Sequence, residues 1–205
     1  MVSRAEIKQQ AKAQLKGNLG MIILCGIIYF AIVFVLSFIP YIGLIGSLVI
    51  APPLALGLYK VLLNVTYGEK AEVATLFEPF QTCFGGSIVL NLLVNIFILL
   101  WSLLLLIPGI IKSYSYSMSF YILAENPNMT ATEAITESRR IMDGHKMEYF
   151  VLSLSFIPWI LLACVTFGIA YIYVLPYMYL TVTNFYHNIK RQDAPAIEEA
   201  AEVVE

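Results

Sequence analysis

The sequence predicts an all-α membrane protein of six transmembrane helices, arranged as three helical hairpins with amphipathic helices at the cytoplasmic interface. Three observations predict it. The chain is 60% hydrophobic and 13% charged, with a mean hydropathy of +0.80, whereas soluble domains are roughly 45–50% apolar and about 25% charged. Its apolar runs recur near the ~20 residues that a helix needs to cross hydrocarbon. Almost every charge lies between those runs instead of inside them.

Residues 3–18 read as an amphipathic helix on the membrane surface. Ser3 and Glu6 have capping-box spacing, in which each side chain satisfies an orphan N–H at the helix start. Ile7, Ala11 and Leu15 recur every turn as an apolar face, and Arg4, Lys8, Lys12 and Lys16 form a basic column beside it. Such a helix suits anionic lipid headgroups. Residues 19–38 carry no charge and make the first span, with Pro40, Tyr41, Ile42 and Gly43 as its turn. The second span covers 41–63, with Lys60 snorkelling to the interface. Gly43, Ser47, Ala51 and Ala55 form a small-residue column on it, which lets another helix approach closely. Pro52 and Pro53 are expected to kink it.

Residues 64–83 return to water, and 71–80 form a short interfacial helix ending at Glu78 and Pro79. The third span, 84–106, carries Asn91 and Asn95 one turn apart; amides in hydrocarbon turn towards protein because an unpaired one is costly. The fourth, 108–124, is short and less apolar. Residues 130–142 then form an amphipathic helix with a second capping box, Thr130 with Glu133. Ala131, Ala134, Ile135, Ser138, Ile141 and Met142 line its apolar face, and Gly144 ends it in the left-handed conformation that glycine favours. The fifth span is 149–167 and the sixth 169–186, with Gly168 between them and Pro176 expected to kink the latter. Residues 193–205 are an acidic stretch without aromatics, expected to be disordered.

Six spans put all twelve Lys and Arg except Lys112, and all fourteen Asp and Glu, on one side. The positive-inside rule makes that side, and both termini, cytoplasmic. Residues 1–192 then form one polytopic domain. The intervals Gly17 to Pro40, Gly85 to Pro108 and Gly144 to Gly168 are nearly equal, which suggests repeats over 1–63, 64–124 and 130–189.

The candidate functional tract follows Pro108. Lys112, Ser115, Tyr116 and Ser119 fall on one helical face, and Ser113, Ser117 and Tyr121 on another. With Asn91 and Asn95, the first face would line a polar intramembrane cavity, since ionisable residues inside a membrane are functional candidates by default. The competing reading makes Lys112 an outer-interface anchor and the serines packing groups. Tyr177 and Tyr179 lie centrally in the sixth span. No nucleophile elbow, phosphate-binding glycine loop or zinc-protease motif is present, so no enzyme activity, metal or cofactor is expected. A net charge of −2 suggests no nucleic-acid partner. Cys25, Cys83 and Cys164 are widely spaced and read as small buried hydrophobes, not a disulfide framework.

The run from Ile107 through Pro108, Gly109, Ile110, Ile111 and Lys112, then Tyr114 to Met118 and Tyr121 to Ala124, resembles a bacterial membrane family known as domain of unknown function 975. Ala134 to Met142 with Gly144, His145 and Lys146, and the later Leu175, Pro176 and Tyr177, resemble it too. The resemblance covers residues 1–192 and implies a polytopic protein of the bacterial cytoplasmic membrane, with no inherited site residue. Two functions fit these residues. One is a small transport or channel-type protein whose cavity holds an anionic or lipid-headgroup ligand. The other is a non-catalytic scaffold whose cytoplasmic helices, through Arg139 and Arg140 or the basic column, engage a protein partner, a second copy or anionic lipid.

Overall fold

The computed structural model describes residues 3–38 and 42–202, and no strand occurs among the described residues. The helices are α1 (Arg4–Ser37), α2 (Ile42–Thr66), α3 (Val73–Phe77), α4 (Pro79–Thr82), α5 (Phe84–Leu104), α6 (Leu106–Tyr116), α7 (Ser119–Glu125), α8 (Ala131–Ile141), α9 (Lys146–Leu154), α10 (Ile157–Val165) and α11 (Tyr171–Glu202). Pro40 and Tyr41 of the expected first turn lie outside the described residues, as do residues 203–205.

Four stretches are long and apolar enough to cross a membrane: α1, Gly46–Thr66 of α2, α5, and Lys146–Val165, which joins α9 and α10. The expected fourth span is instead divided between α6 and α7 at Ser117 and Met118. The expected sixth lies in α11, which runs through Pro176 but buries Thr181, Thr183, Asn184 and Asn188. Its composition is therefore less apolar than that of the other spans. Beyond Arg191, α11 continues to Glu202, through much of the stretch expected to be a disordered tail.

The N-terminal capping box forms as expected, with the Glu6 N–H donating to Ser3 Oγ at 3.2 Å and the Ser3 N–H to Glu6 Oε2 at 2.7 Å. No separate surface helix follows. The amphipathic segment and the first span are one helix of 34 residues, about 51 Å long at 1.5 Å per residue, against ~30 Å of hydrocarbon. The face of Ile7, Ala11 and Leu15 is buried in the protein core, because α1 packs on α2 and α11. Gln14 and Asn184 exchange amide hydrogen bonds of 3.2 and 2.6 Å across that contact. From Ile27 onwards α1 exposes large apolar side chains, among them Phe30, Phe34 and Val35, which suit a lipid-facing surface.

Gly109 explains the close seating of α6 on α5. A Cβ there would stand 2.4 Å from Ser102 Oγ and 2.8 Å from Ser102 Cα. On α8 the Thr130–Glu133 box forms, and the whole predicted apolar face is buried. Gly144 has φ of +80° in the turn after α8. Between α9 and α10 the helix breaks just ahead of Pro158, which offers no N–H to the preceding turn. Cys25 and Cys83 are buried as expected, whereas Cys164 is exposed, on the apolar outer surface of α10 beside Val165.

Candidate functional site

Hydroxyl-bearing side chains from α2, α7, α9 and α11, together with Ser117 of the α6–α7 break, line a cavity of about 370 Å³. Tyr59, Ser117, Tyr121, Tyr149, Ser153 and Tyr179 line it, with Phe156, Ile160, Leu175, Met178 and Val182, and none of these is charged. Ser117 Oγ donates to the Tyr114 carbonyl at 2.8 Å and Ser153 Oγ to the Tyr149 carbonyl at 2.9 Å. Ser153 thus donates its proton within its own helix and leaves its oxygen as an acceptor, while Ser117 also bonds the Tyr149 hydroxyl. The tyrosines are set by aromatic packing: Tyr59 lies edge-on to Tyr121 at 4.7 Å, and Tyr149 rests on Phe185 at 5.4 Å.

Both helix breaks border this cavity. Ser117 belongs to the α6–α7 break, and Phe156 to the α9–α10 break. The first break is held by α8: Ser138 Oγ donates to the Ser115 carbonyl at 2.8 Å and accepts the Met118 N–H at 3.2 Å. Ser138 is fully buried.

The face proposed from sequence is placed differently. Ser115 is buried and bonds the Ile111 carbonyl of its own helix at 3.0 Å. Tyr116 is buried near Phe97 at 6.0 Å. Ser119 Oγ is buried without a hydrogen-bond partner among the described residues. Asn95 is exposed and donates to the Asn91 carbonyl at 2.7 Å and to Asn91 Oδ1 at 3.1 Å. Lys112 Nζ stands 4.8 Å over the Trp101 ring. It is the other face, Ser117 and Tyr121, that reaches the cavity, together with Tyr179; Tyr177 packs against Phe156 and Trp159.

Beside the cavity lies a cluster centred on Glu125, which in the sequence is one acid among many. Tyr121 of the cavity wall stacks on Tyr186 at 5.3 Å, and the Tyr186 hydroxyl donates to Glu125 Oε2 at 2.6 Å. The Tyr67 hydroxyl donates to Glu125 Oε1, and Lys190 Nζ pairs with Oε2. Burial, then the bond to Glu125, raises the Tyr67 phenol above its ordinary pKa. The Glu125 side chain is only 11% exposed, so the cluster ties α2, α7 and α11 together. A second cavity of about 390 Å³ adjoins it, lined by Lys60, Asn64, Tyr67, Glu125, Asn126 and Lys190 among others. Lys60 pairs with Glu78 at 2.5 Å. In the sequence Glu125 follows the apolar Ile122, Leu123 and Ala124, four residues past the end of the hydroxyl-rich run at Tyr121, and no local pattern singles it out.

Of the basic candidates, Arg4, Lys12, Lys16 and Arg139 are exposed. Lys8 is half-buried, 4.8 Å over the Phe156 ring. Lys12 stands 5.7 Å from the Tyr177 ring. Arg140 is engaged within the molecule, donating to Glu137 at 2.7 and 2.8 Å and pairing with Asp193 at 2.6 Å.

No curated protein and no solved structure matches this chain. A family model described as "Protein of unknown function (DUF975)" does, over residues 1–112 and 103–193. With its apolar helices and that match along nearly its whole length, the chain belongs to the DUF975 family.

Proposed function

We propose that this chain is a multi-pass protein of the bacterial cytoplasmic membrane, with six spans in three hairpins and both termini cytoplasmic, and that it works as a small transport or channel-type protein. In this reading α6 and α7 together make the fourth span and the first part of α11 the sixth. The observation that carries it is the meeting of two helix breaks at one hydroxyl-lined cavity. Both breaks are local departures from regular α-helical bonding, with the backbone still right-handed. Irregular backbone at membrane depth is tolerated where protein buries it or where it lines a cavity, and interrupted helices are a recurring way to build a transport site. Of the residues on which the scaffold alternative relies, Arg140 is already engaged by Glu137 and Asp193, while Arg139, Arg4, Lys12 and Lys16 stay exposed.

Cysteine accessibility tests this. In a chain with exposed Cys164 replaced by Ser, Ser117→Cys and Ser153→Cys are labelled with membrane-impermeant thiol reagents in intact cells and in inverted vesicles. Both should react from at least one aqueous face, and Leu99→Cys, on the exposed apolar surface, should not. Silence at 117 and 153 from both faces, with Arg139→Cys reacting normally, would sink the transport reading.

A further inference from the structure

We infer that the cavity's ligand is an uncharged amphipathic lipid, with a hydrocarbon chain and a small head of hydroxyl or ester groups. The inference rests on the transport reading above and names its ligand class. Between α1, α2 and α11 lies an apolar cleft of about 280 Å³, and Leu175 and Tyr179 of α11 line both it and the hydroxyl cavity. On α2 the neighbours Leu58 and Tyr59 divide between the two in the same way. An apolar slot thus shares a wall with a chamber whose largely apolar lining carries several hydroxyl-bearing side chains, an arrangement that suits an amphipathic molecule with a small head.

Two further observations narrow the class. Neither lining contains Asp, Glu, Lys, Arg or His, and an unpaired charge among tyrosine rings would carry a large desolvation penalty. A phosphate or carboxylate head therefore fits poorly, while hydroxyl and ester oxygens suit the hydroxyl groups of Tyr59 and Tyr179 as donors and Ser153 as acceptor. The cleft also has an open side towards the bilayer. Ile27 and Phe30, on its α1 wall, belong to the exposed apolar surface of that helix. Gly26 stands in the same wall, and a Cβ added there meets nothing within 4 Å. A chain can enter from the hydrocarbon at that point, with its head directed to Tyr179.

The test uses the full-length protein in phosphatidylcholine nanodiscs with a diazirine-bearing monoacylglycerol as photoprobe. Crosslinks should map to α1 and α11 and be competed by unlabelled monoacylglycerol. Lysophosphatidic acid should compete at least about tenfold less well, and Gly26→Leu, which fills open space in the cleft, should weaken labelling about tenfold or more. Tyr179→Phe, which keeps the ring and removes the hydroxyl, should weaken it about threefold to tenfold. Thermal melts of both variants should match the parent. Labelling indifferent to both substitutions, or equal competition by lysophosphatidic acid, overturns the inference. If glycerol or a sugar protects the Ser117→Cys variant from thiol reagents while monoacylglycerol does not, the ligand class is wrong and the transport reading stands. If the Ser117→Cys and Ser153→Cys variants are both unreactive from both faces, both readings fall.

Discussion

Ser138 shows how much one hydroxyl can hold. It sits on α8, expected outside the membrane, yet its Oγ bridges the Ser115 carbonyl and the Met118 N–H across the break in the expected fourth span. Ser138→Ala leaves both backbone groups without that partner, a loss of about 1–3 kcal/mol, and should lower the unfolding midpoint in detergent. Ser138→Thr, which keeps the oxygen, should lose less. His187 makes a prediction about pH. Burial, then Arg191 and more weakly Lys190, depresses its pKa, with Glu125 opposing; Tyr67 packs edge-on against it at 5.2 Å. With the folded value below the ordinary 6.5, the unfolded chain takes up a proton first as pH falls. The His187 contribution is therefore intact above about pH 6.5 and declines as pH drops towards the folded value. Melting temperature measured from pH 7.5 to 5 should fall more steeply in the parent than in His187→Gln.

Among the helices, the clearest divergence between expectation and structure is α1. Its four-residue periodicity does mark an amphipathic face, but a face of Ile7, Ala11 and Leu15 serves protein as well as lipid. The contact with α11, pinned by Gln14 and Asn184, settles which. Gly17 therefore lies inside a continuous helix, with nothing within 4 Å of an added Cβ. Gly17→Ala should stabilise the protein by roughly 0.5–1 kcal/mol; a fall in melting temperature would mean the chain needs a hinge there. Gly109 is the opposite case. Gly109→Ala drives a methyl into Ser102 and should cost roughly 1–3 kcal/mol, seen as a lower midpoint and weaker expression.

Across the whole molecule, Glu125 gathers three elements at a point where no local pattern marks it. Tyr67 comes from the end of α2, Tyr186 and Lys190 from α11, and Glu125 itself closes α7. Glu125→Ala strands two phenols and should cost about 1–3 kcal/mol, whereas Glu125→Gln keeps an acceptor and should cost less; detergent melts of the two variants give the ordering. Both capping boxes, the apolar face of α8, the left-handed Gly144 and the longest apolar helices are legible in the sequence, because each depends on residues within a few positions of one another. The cavity is legible only in part. The hydroxyl-rich tract stands out, but the face that reaches the chamber is that of Ser117 and Tyr121, not that of Lys112 and Ser115.

By itself the sequence determined an all-helical chain suited to a membrane, the bounds of α2, α5 and α8 to within a few residues, and which residues share a face. Those properties follow from hydropathy and helical repeat, which neighbouring residues impose on each other directly. Only the tertiary structure decided what each face meets: that α1 turns its amphipathic face to α11, that α8 closes the break beside Ser117, and that an uncharged hydroxyl chamber lies against an apolar cleft at Tyr179. Helical periodicity fixes the direction of a side chain relative to its own axis. The rotation and partner of that axis come from packing between segments distant in the chain, which no local pattern encodes.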